Sequence, residues 1–356
     1  MGLNGQKTLD ELRPGLRQHM EDTGIPTSPG GTIMFVWWEM RDVFLHHVKE
    51  TPNIDLYCGE EFIDITQTQS IVTVTFKSGM ELKGNFLVGA DGVHSNVRNV
   101  LKLPPILKSD ITNYRGNFLV PETASTELQA LLEKGIVPLY TGNGKELYFI
   151  VFNFHSRHTG RLAWLLATNL HVADDDDVEK NNNDNDTTST STCITPYSII
   201  KDNVKDVGQR KIIEEIFNLS ADHQLQPYPQ NSIIDLNVKN KQHSNGDGDD
   251  RGWGGKGLIT LVGDAAHGMR ATDGYGGSMA FEDAVVLSRI LKKKTRSDSN
   301  ESSSLSELLN FFEIERYPRV KRVYDNQYER YELRMSGGKR LDPQSKEFLE
   351  WLLAGV

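Results

Sequence analysis

Val88-Gly89-Ala90-Asp91-Gly92-Val93-His94-Ser95-Asn96-Val97-Arg98 and Leu261-Val262-Gly263-Asp264-Ala265-Ala266-His267 decide how this chain is read. Each is entered through an apolar run that predicts a buried strand, and each places a carboxylate beside glycine just after it. The second leads into Asp273-Gly274-Tyr275-Gly276-Gly277-Ser278 and then Met279 to Leu291, where Ala280, Ala284, Leu287 and Leu291 recur at helical spacing. Strand, aspartate, glycine turn and helix N-terminus follow in that order.

A carboxylate at the end of a buried strand can accept hydrogen bonds from the hydroxyls of a ribityl or ribose chain. A glycine-rich turn lets backbone approach a flat ring without Cβ clashes. The unpaired N–H groups and positive end of the following helix can stabilise a phosphate or the anionic edge of a reduced flavin. Either segment alone also reads as an ordinary turn. Both in this order point to a flavin.

On these residues the chain resembles the group A flavoprotein monooxygenases, the FAD-dependent hydroxylases of the para-hydroxybenzoate or salicylate hydroxylase type. Gly89 to Arg98 is similar to that family's DG motif, and Gly263 to Ala284 to its GD motif and following helix. Arg41, in Met40-Arg41-Asp42-Val43-Phe44, resembles an arginine at the start of a helix that reaches the flavin. Phe312-Glu313, Arg316, Pro318-Arg319 and Val323 resemble the late helical region. The resemblance implies FAD as cofactor, NADPH or NADH as co-substrate, and O2 delivering one oxygen atom to a small aromatic, polyketide or terpenoid substrate by hydroxylation or epoxidation. It further implies a cofactor-binding set of Arg41, Asp91, Arg98, Gly263, Asp264, Gly274, Gly276 and Gly277, with Asp264 on the ribityl chain and Gly276 and Gly277 at the ring edge. Tyr114-Arg115-Gly116 resembles the entry to the substrate sheet, which makes Arg115 the candidate catalytic residue, holding an acidic substrate or the flavin.

Some of the family pattern is missing. The family opens with a strand, a GxGxxG turn, a helix and a second strand, and nothing before Arg41 supplies them. Met1 to Gly24 reads instead as the polar, helix-leaning stretch that follows that unit. The expected fold class is therefore α/β: an incomplete Rossmann-like FAD-binding domain with an inserted β-sheet substrate domain and C-terminal helices. Loss of a central strand is expected to leave Phe86 to Ala90 and Ile259 to Val262 with unpaired edges. An incomplete sequence, a missing N-terminal half or oligomer partner, and a catalytically silent remnant acting as a binding or regulatory protein stay open as accounts. Met269-Arg270-Ala271-Thr272 stands where the family has a proline against the flavin, Asp273 where a small residue is common, and Ser278 where many relatives carry Asn.

Composition narrows the class. A net charge of -10 argues against general nucleic-acid or anionic-membrane binding. No apolar run approaches the roughly 20 residues of a spanning helix, and the N-terminus has no apolar signal core, so cytoplasm is the default. The two cysteines, Cys58 and Cys193, imply neither a disulfide scaffold nor a metal cluster.

Three segments are expected: 1–100 as the first part of the FAD-binding domain, 101–245 as the substrate domain, and 246–356 as the second FAD-binding part with C-terminal helices. Residues 54 to 89 alternate apolar and polar with turns between, a strand meander. Residues 114–120, 137–141, 146–154 and 161–170 are strand candidates rich in Tyr, Phe, Val, Leu and Trp. Residues 173–192 are acidic and polar without periodicity and are expected to be a disordered insertion; 240–256 and 293–305 are expected to behave alike and project from the surface.

Several residues carry a plainer reading beside the functional one. Asp91 could cap a turn, and Arg41, after Trp37-Trp38, could be a stacking or surface arginine. His267 reads as structural. His46 and His47 point to different helix faces with Glu50 nearby, a solvated cluster, and no metal site is expected. Glu282 and Asp283 are expected to favour the first helical turn through the dipole, so that their loss costs stability only modestly; Lys292-Lys293-Lys294 would cap the other end. Deletion of residues 174–191 is expected to leave folding intact, as checked by soluble expression and the thermal unfolding midpoint; loss of soluble expression would contradict the assignment.

Overall fold

The computed structural model describes residues 1–26, 31–109, 111–141, 147–154, 158, 160–169, 195–226, 232–236, 252–270, 274–296, 303–335 and 345–355. The chain falls into two units, one of Met1–Lys108, Ser232–Glu329 and Pro343–Val356, the other of Ser109–Asn231 and Arg330–Asp342.

In the first unit the two glycine-aspartate segments do follow strands, and the strands are partners. Leu87–Gly89 and Ile259–Leu261 pair in parallel, with Ile259 opposite Leu87 and Leu261 opposite Gly89. Gly89 is required here by close approach: a Cβ on it would stand 2.6 Å from Leu261 Cδ2. Among the described residues no third strand joins this sheet. The outer edge at Ile259 is instead closed by a turn, its N–H and C=O bonding the C=O and N–H of Lys256.

The alternating stretch folds as an antiparallel meander, Phe62–Gln67, Val72–Phe76 and Glu81–Gly84, while residues 54–60 form no strand. The polar N-terminal stretch forms two helices, Leu3–Leu12 and Leu16–Thr23, and a third runs from Trp37 to Lys49. After the second motif comes the helix Gly276–Arg296, on which Met279, Asp283, Leu287 and Ile290 share one buried face. It extends beyond the Leu291 that periodicity suggested and takes Lys293 to Arg296 out of the tract expected to project.

The long helix Leu305–Met335 buries Leu309, Phe312, Glu313, Arg316, Val320, Val323, Tyr324 and Gln327 along one stripe. Two charged residues on that stripe must find partners inside. Glu313 takes two of its partners from Gly254 and Gly255, which corrects the expectation that 240–256 projects as a whole. Its carboxylate accepts from Gly255 N–H at 3.0 Å, Gly254 N–H at 3.2 Å and Thr260 Oγ1 at 2.8 Å. Trp253 thereby packs edge-on against Phe312 and His267. The misreading has a local cause: one buried Trp between glycines in a polar tract gives no periodicity to detect. Residues 173–192, 240–251 and 297–302, and Ala271 to Asp273, lie outside the described residues.

The second unit is a four-stranded antiparallel sheet in the order Thr112–Leu119, Arg161–Thr168, Leu147–Asn153, Ile136–Thr141, close to the four predicted strands. Leu162, Trp164 and Leu166 alternate onto one face with Phe149 and Val151, and the helices Pro196–Asn203 and Val207–Leu219 bring Ile199, Ile200, Ile213, Ile216 and Phe217 to the same core. Trp164 stacks on Phe149 and donates its indole N–H to Ser220 at 2.8 Å.

These observations place the chain in the α/β class, with a parallel strand pair flanked by helices in one unit and an antiparallel sheet in the other. They also set a pH dependence. Burial pushes the Glu313 carboxyl up to about 7, against the hydrogen bonds that favour its ionised form. Since the unfolded carboxyl titrates near 4.5, the folded chain holds a proton that the unfolded chain has released between those values. Stability is therefore expected to fall as pH rises through that window, by roughly 3 kcal/mol from this group. Urea unfolding of the wild-type chain and of Glu313→Gln at pH 5 and pH 8 tests it: the variant should lose that part of the slope, and equal slopes would refute the assignment.

Candidate functional site

The carboxyl ends of two adjacent parallel strands are where α/β folds place ligands, because the loops there turn away from a rigid sheet. Both motifs of this chain emerge at that end and are tied to each other. Arg98 is buried and donates Nη1–H to Ala265 O at 3.1 Å and Nη2–H to Pro104 O at 3.0 Å. Val262 N–H bonds Gly89 O at 3.0 Å. Gly268 leaves room for Val93, whose Cγ2 would lie 2.8 Å from a Cβ there. Desolvation pulls Arg98 down to about 10, partly offset by Asp91, and leaves it a cation at neutral pH.

Asp91 is exposed, and its Oδ2 accepts from the N–H groups of Asn96 at 2.8 Å and Val97 at 3.2 Å. Together with Ser95 Oγ, which accepts from Arg98 N–H, it caps the short helix Asn96–Val100. The local geometry of Asp91 is thus that of a cap.

Asp264 differs. It begins the helical turn Asp264–His267 and its side chain is exposed, while Ala265, Ala266 and His267 behind it are buried. Gly263 before it has φ 57° and ψ -142°, a region open only to glycine. A Cβ on Gly276 would come 3.4 Å from Asp264 Oδ1, so the carboxylate lies against the N-terminus of the Gly276–Arg296 helix. Gly274, at φ 71°, and Gly277 have nothing within 4 Å of a Cβ position. An acceptor carboxylate therefore stands beside an open glycine turn and the donor end of a long helix.

The other candidates are placed as follows. Arg41 lies on the exposed side of the Trp37–Lys49 helix, its guanidinium 5.4 Å from the Trp37 ring and 3.0 Å from Asp42. That helix packs through Phe44 on Phe281 of the Gly276–Arg296 helix. Arg115 lies in the second unit, exposed, on Thr112–Leu119 opposite Leu165. Ser278 is buried and accepts from Gly2 N–H at 3.1 Å. His19, His46 and His47 gather with ring centroids 5.2 to 5.6 Å apart, with His46 exposed and His47 half-buried. Among the described residues no group of three metal-ligating side chains is arranged to hold an ion.

Sequence reasoning missed the residues beneath Asp264. Glu282 and Asp283 do not sit at the helix surface near its start; they are 2% and 0% exposed. Asp283 accepts from Arg316 Nε at 2.8 Å, His267 Nε2 at 2.7 Å and Gly263 N–H at 2.9 Å. Glu282 accepts from Arg316, from Arg319 and from Asn4 Nδ2. Burial pushes the Asp283 carboxyl up, but His267, Arg316 and the Gly263 N–H outweigh it and hold it below its usual range. The modest cost expected for losing either acid is corrected accordingly, since removing one member of a buried ion pair strands the other. A signal was present: Asp283 lies four residues from both Met279 and Leu287, on the apolar face.

The arrangement fits a flavin on its own geometry. Asp264 can accept from hydroxyls, the open turn admits a flat ring or a phosphate, and the helix N-terminus supplies donors.

Comparison with known proteins follows the same line. A family model described as FAD binding domain matches residues 2–213. The chain is 26% identical over 275 residues to a chloroplastic zeaxanthin epoxidase of an Oncidium hybrid cultivar, covering 74% of this chain and 34% of that protein. It is 26% identical over 293 residues to the FAD-dependent monooxygenase ptmM of Penicillium ochrochloron, covering 80% of this chain and 62% of that protein. This chain thus spans a third to three fifths of the length of these two relatives. Klebsiella pneumoniae HpxO, solved with FAD and uric acid, shares the fold at 17% identity and a TM-score of 0.62, covering 99% of this chain and 82% of that one.

Arg98→Met keeps the aliphatic stem and removes both guanidinium bonds, the one that bridges to Ala265 and the local one to Pro104. It is expected to cost about 2–3 kcal/mol in urea unfolding, the range for hydrogen bonds from a charged donor. A loss below about 0.5 kcal/mol would show that the two motifs are held together without it.

Proposed function

Because the chain belongs to the FAD binding domain family, we propose that it acts as an FAD-dependent monooxygenase, using NADPH or NADH and O2 to hydroxylate or epoxidise a small organic substrate. The observation that carries this reading is the exposed Asp264 carboxylate set against the open glycine turn at the N-terminus of the Gly276–Arg296 helix. FAD, when bound, supplies the redox and oxygen chemistry that side chains cannot.

The chain's own residues do the holding. Asp264 accepts from the ribityl hydroxyls. The backbone at Gly274, Gly276 and Gly277 approaches the ring edge, and the helix N-terminus favours negative charge there. Arg98 and Gly263 keep the two loops in register, and Asp91 shapes the first of them. Arg41 serves the ring or pyrophosphate after leaving Asp42; Arg115, in the substrate domain of residues 101–245 in this reading, is the candidate for holding an acidic substrate. The substrate in this reading is an aromatic, polyketide or terpenoid molecule; that one relative is named a zeaxanthin epoxidase supports epoxidation as one outcome. No helix among the described residues is long and apolar enough to cross a membrane; from composition we place the protein in the cytoplasm. The intact Asp264 site favours this enzyme over a silent remnant.

Asp264→Ala is expected to lose most bound FAD, read from the visible absorbance after removal of free cofactor, with a thermal midpoint close to wild type because Asp264 is exposed. Full FAD retention in that variant would overturn its role, and a wild-type chain that binds no FAD would overturn the reading.

A further inference from the structure

Gly263 is held on every side by groups that the proposed chemistry does not use. Its N–H donates to Asp283 Oδ2 at 2.9 Å, and its C=O accepts from Ala266 and His267 N–H, each at 2.9 Å. The same Oδ2 accepts from His267 Nε2 at 2.7 Å, and Oδ1 accepts from Arg316 Nε at 2.8 Å. All three side chains are 2% exposed or less. The loop is therefore closed on itself: His267 belongs to the helical turn that Gly263 starts, and Asp283 ties the first residue of that turn to its last. Only Asp264, between them, points outward.

We propose that Asp283, His267 and Arg316 form a positioning device that clamps Gly263 in its glycine-only conformation and thereby aims the Asp264 carboxylate at the cofactor. None of the three touches the cofactor; each acts through Gly263. For its consequence on FAD the proposal rests on the flavin reading above. The division of labour follows from the contacts. Arg316 pairs with Asp283 and shares Glu282 with Arg319, and its removal leaves a buried carboxylate without its cation, so Arg316 variants report folding rather than aim. His267 supplies one hydrogen bond to an acid already neutralised, so its loss loosens the turn while the ion pair remains. His267 Nε2 is the donor here, because Oδ2 of the ionised Asp283 can only accept.

The test uses the full-length chain, with FAD itself as the probe. His267→Leu removes the donor; His267→Gln returns an amide nitrogen near the position of Nε2; His267→Asn carries one too short to reach. Two readouts are taken: FAD affinity by quenching of flavin fluorescence, and amide hydrogen exchange of the peptide spanning Gly263 to Gly268 in the cofactor-free protein. His267→Leu and His267→Asn are expected to weaken FAD binding about tenfold or more and to raise exchange at Gly263 to Ala266. His267→Gln is expected to recover both to within about threefold of wild type. Wild-type affinity in His267→Leu, weakened affinity without faster exchange, or no recovery in a folded His267→Gln each overturns the proposal. If His267→Leu does not fold, the contrast of Asn with Gln decides. Should the wild-type chain bind no FAD, the functional reading fails, and the exchange data alone decide whether the clamp exists.

Discussion

A guanidinium and two carboxylates buried together set the terms for the first unit. Arg316 is among the largest fully buried side chains, and it lies between Asp283 and Glu282 on a neighbouring helix. Taking such charges out of water costs several kcal/mol each, and only their mutual attraction and saturated hydrogen bonding offset it. With Arg319 on Glu282 there are two cations for two anions. The helix Gly276–Arg296 has one orientation that satisfies them all.

Four other segments are placed by that requirement. Asn4 donates to Glu282 and Gly2 to Ser278, which seats the N-terminal helix. Arg319 reaches Leu352 O and, with Arg322, lies over the Trp351 ring, which seats the C-terminal helix Lys346–Ala354. Asp283 gathers Gly263 and His267, and His267 meets Trp253, whose neighbouring glycines bond Glu313. The chain of contacts runs from a charge pair to the turn at Gly263 through hydrogen bonds that each leave little freedom.

Three carboxylates within one unit show how environment assigns roles. Asp283, with the Arg316 cation and donors from His267 and Gly263 beside it, is held ionised although fully buried. Glu313, nearly as buried, has only backbone and hydroxyl donors around it and is pushed towards neutrality. Asp264 faces solvent and keeps its acceptor capacity for a ligand. Residue type is the same or nearly so in all three, and partners make the difference.

Much of this was legible in one dimension. The motif residues from Gly89 to Arg98 and from Gly263 to Gly277, the strands of both units and the helix after Gly276 are written in local periodicity and turn chemistry, which depend on near neighbours. The partners of Asp283, Glu282 and Glu313 are not, because Arg316 lies 33 positions beyond Asp283 and Gly255 lies 58 positions before Glu313. Trp253 was hidden by the polar residues around it, and Asp91 and Arg41 could not be told from a cap and a surface arginine until their hydrogen bonds were in view. The sequence by itself determined most of the strands, the helix after Gly276 and the position of the two glycine-aspartate turns. Only the tertiary structure decided which acids are buried, what neutralises them and which one is left to face a ligand, since burial and charge pairing are properties of segments brought together by folding.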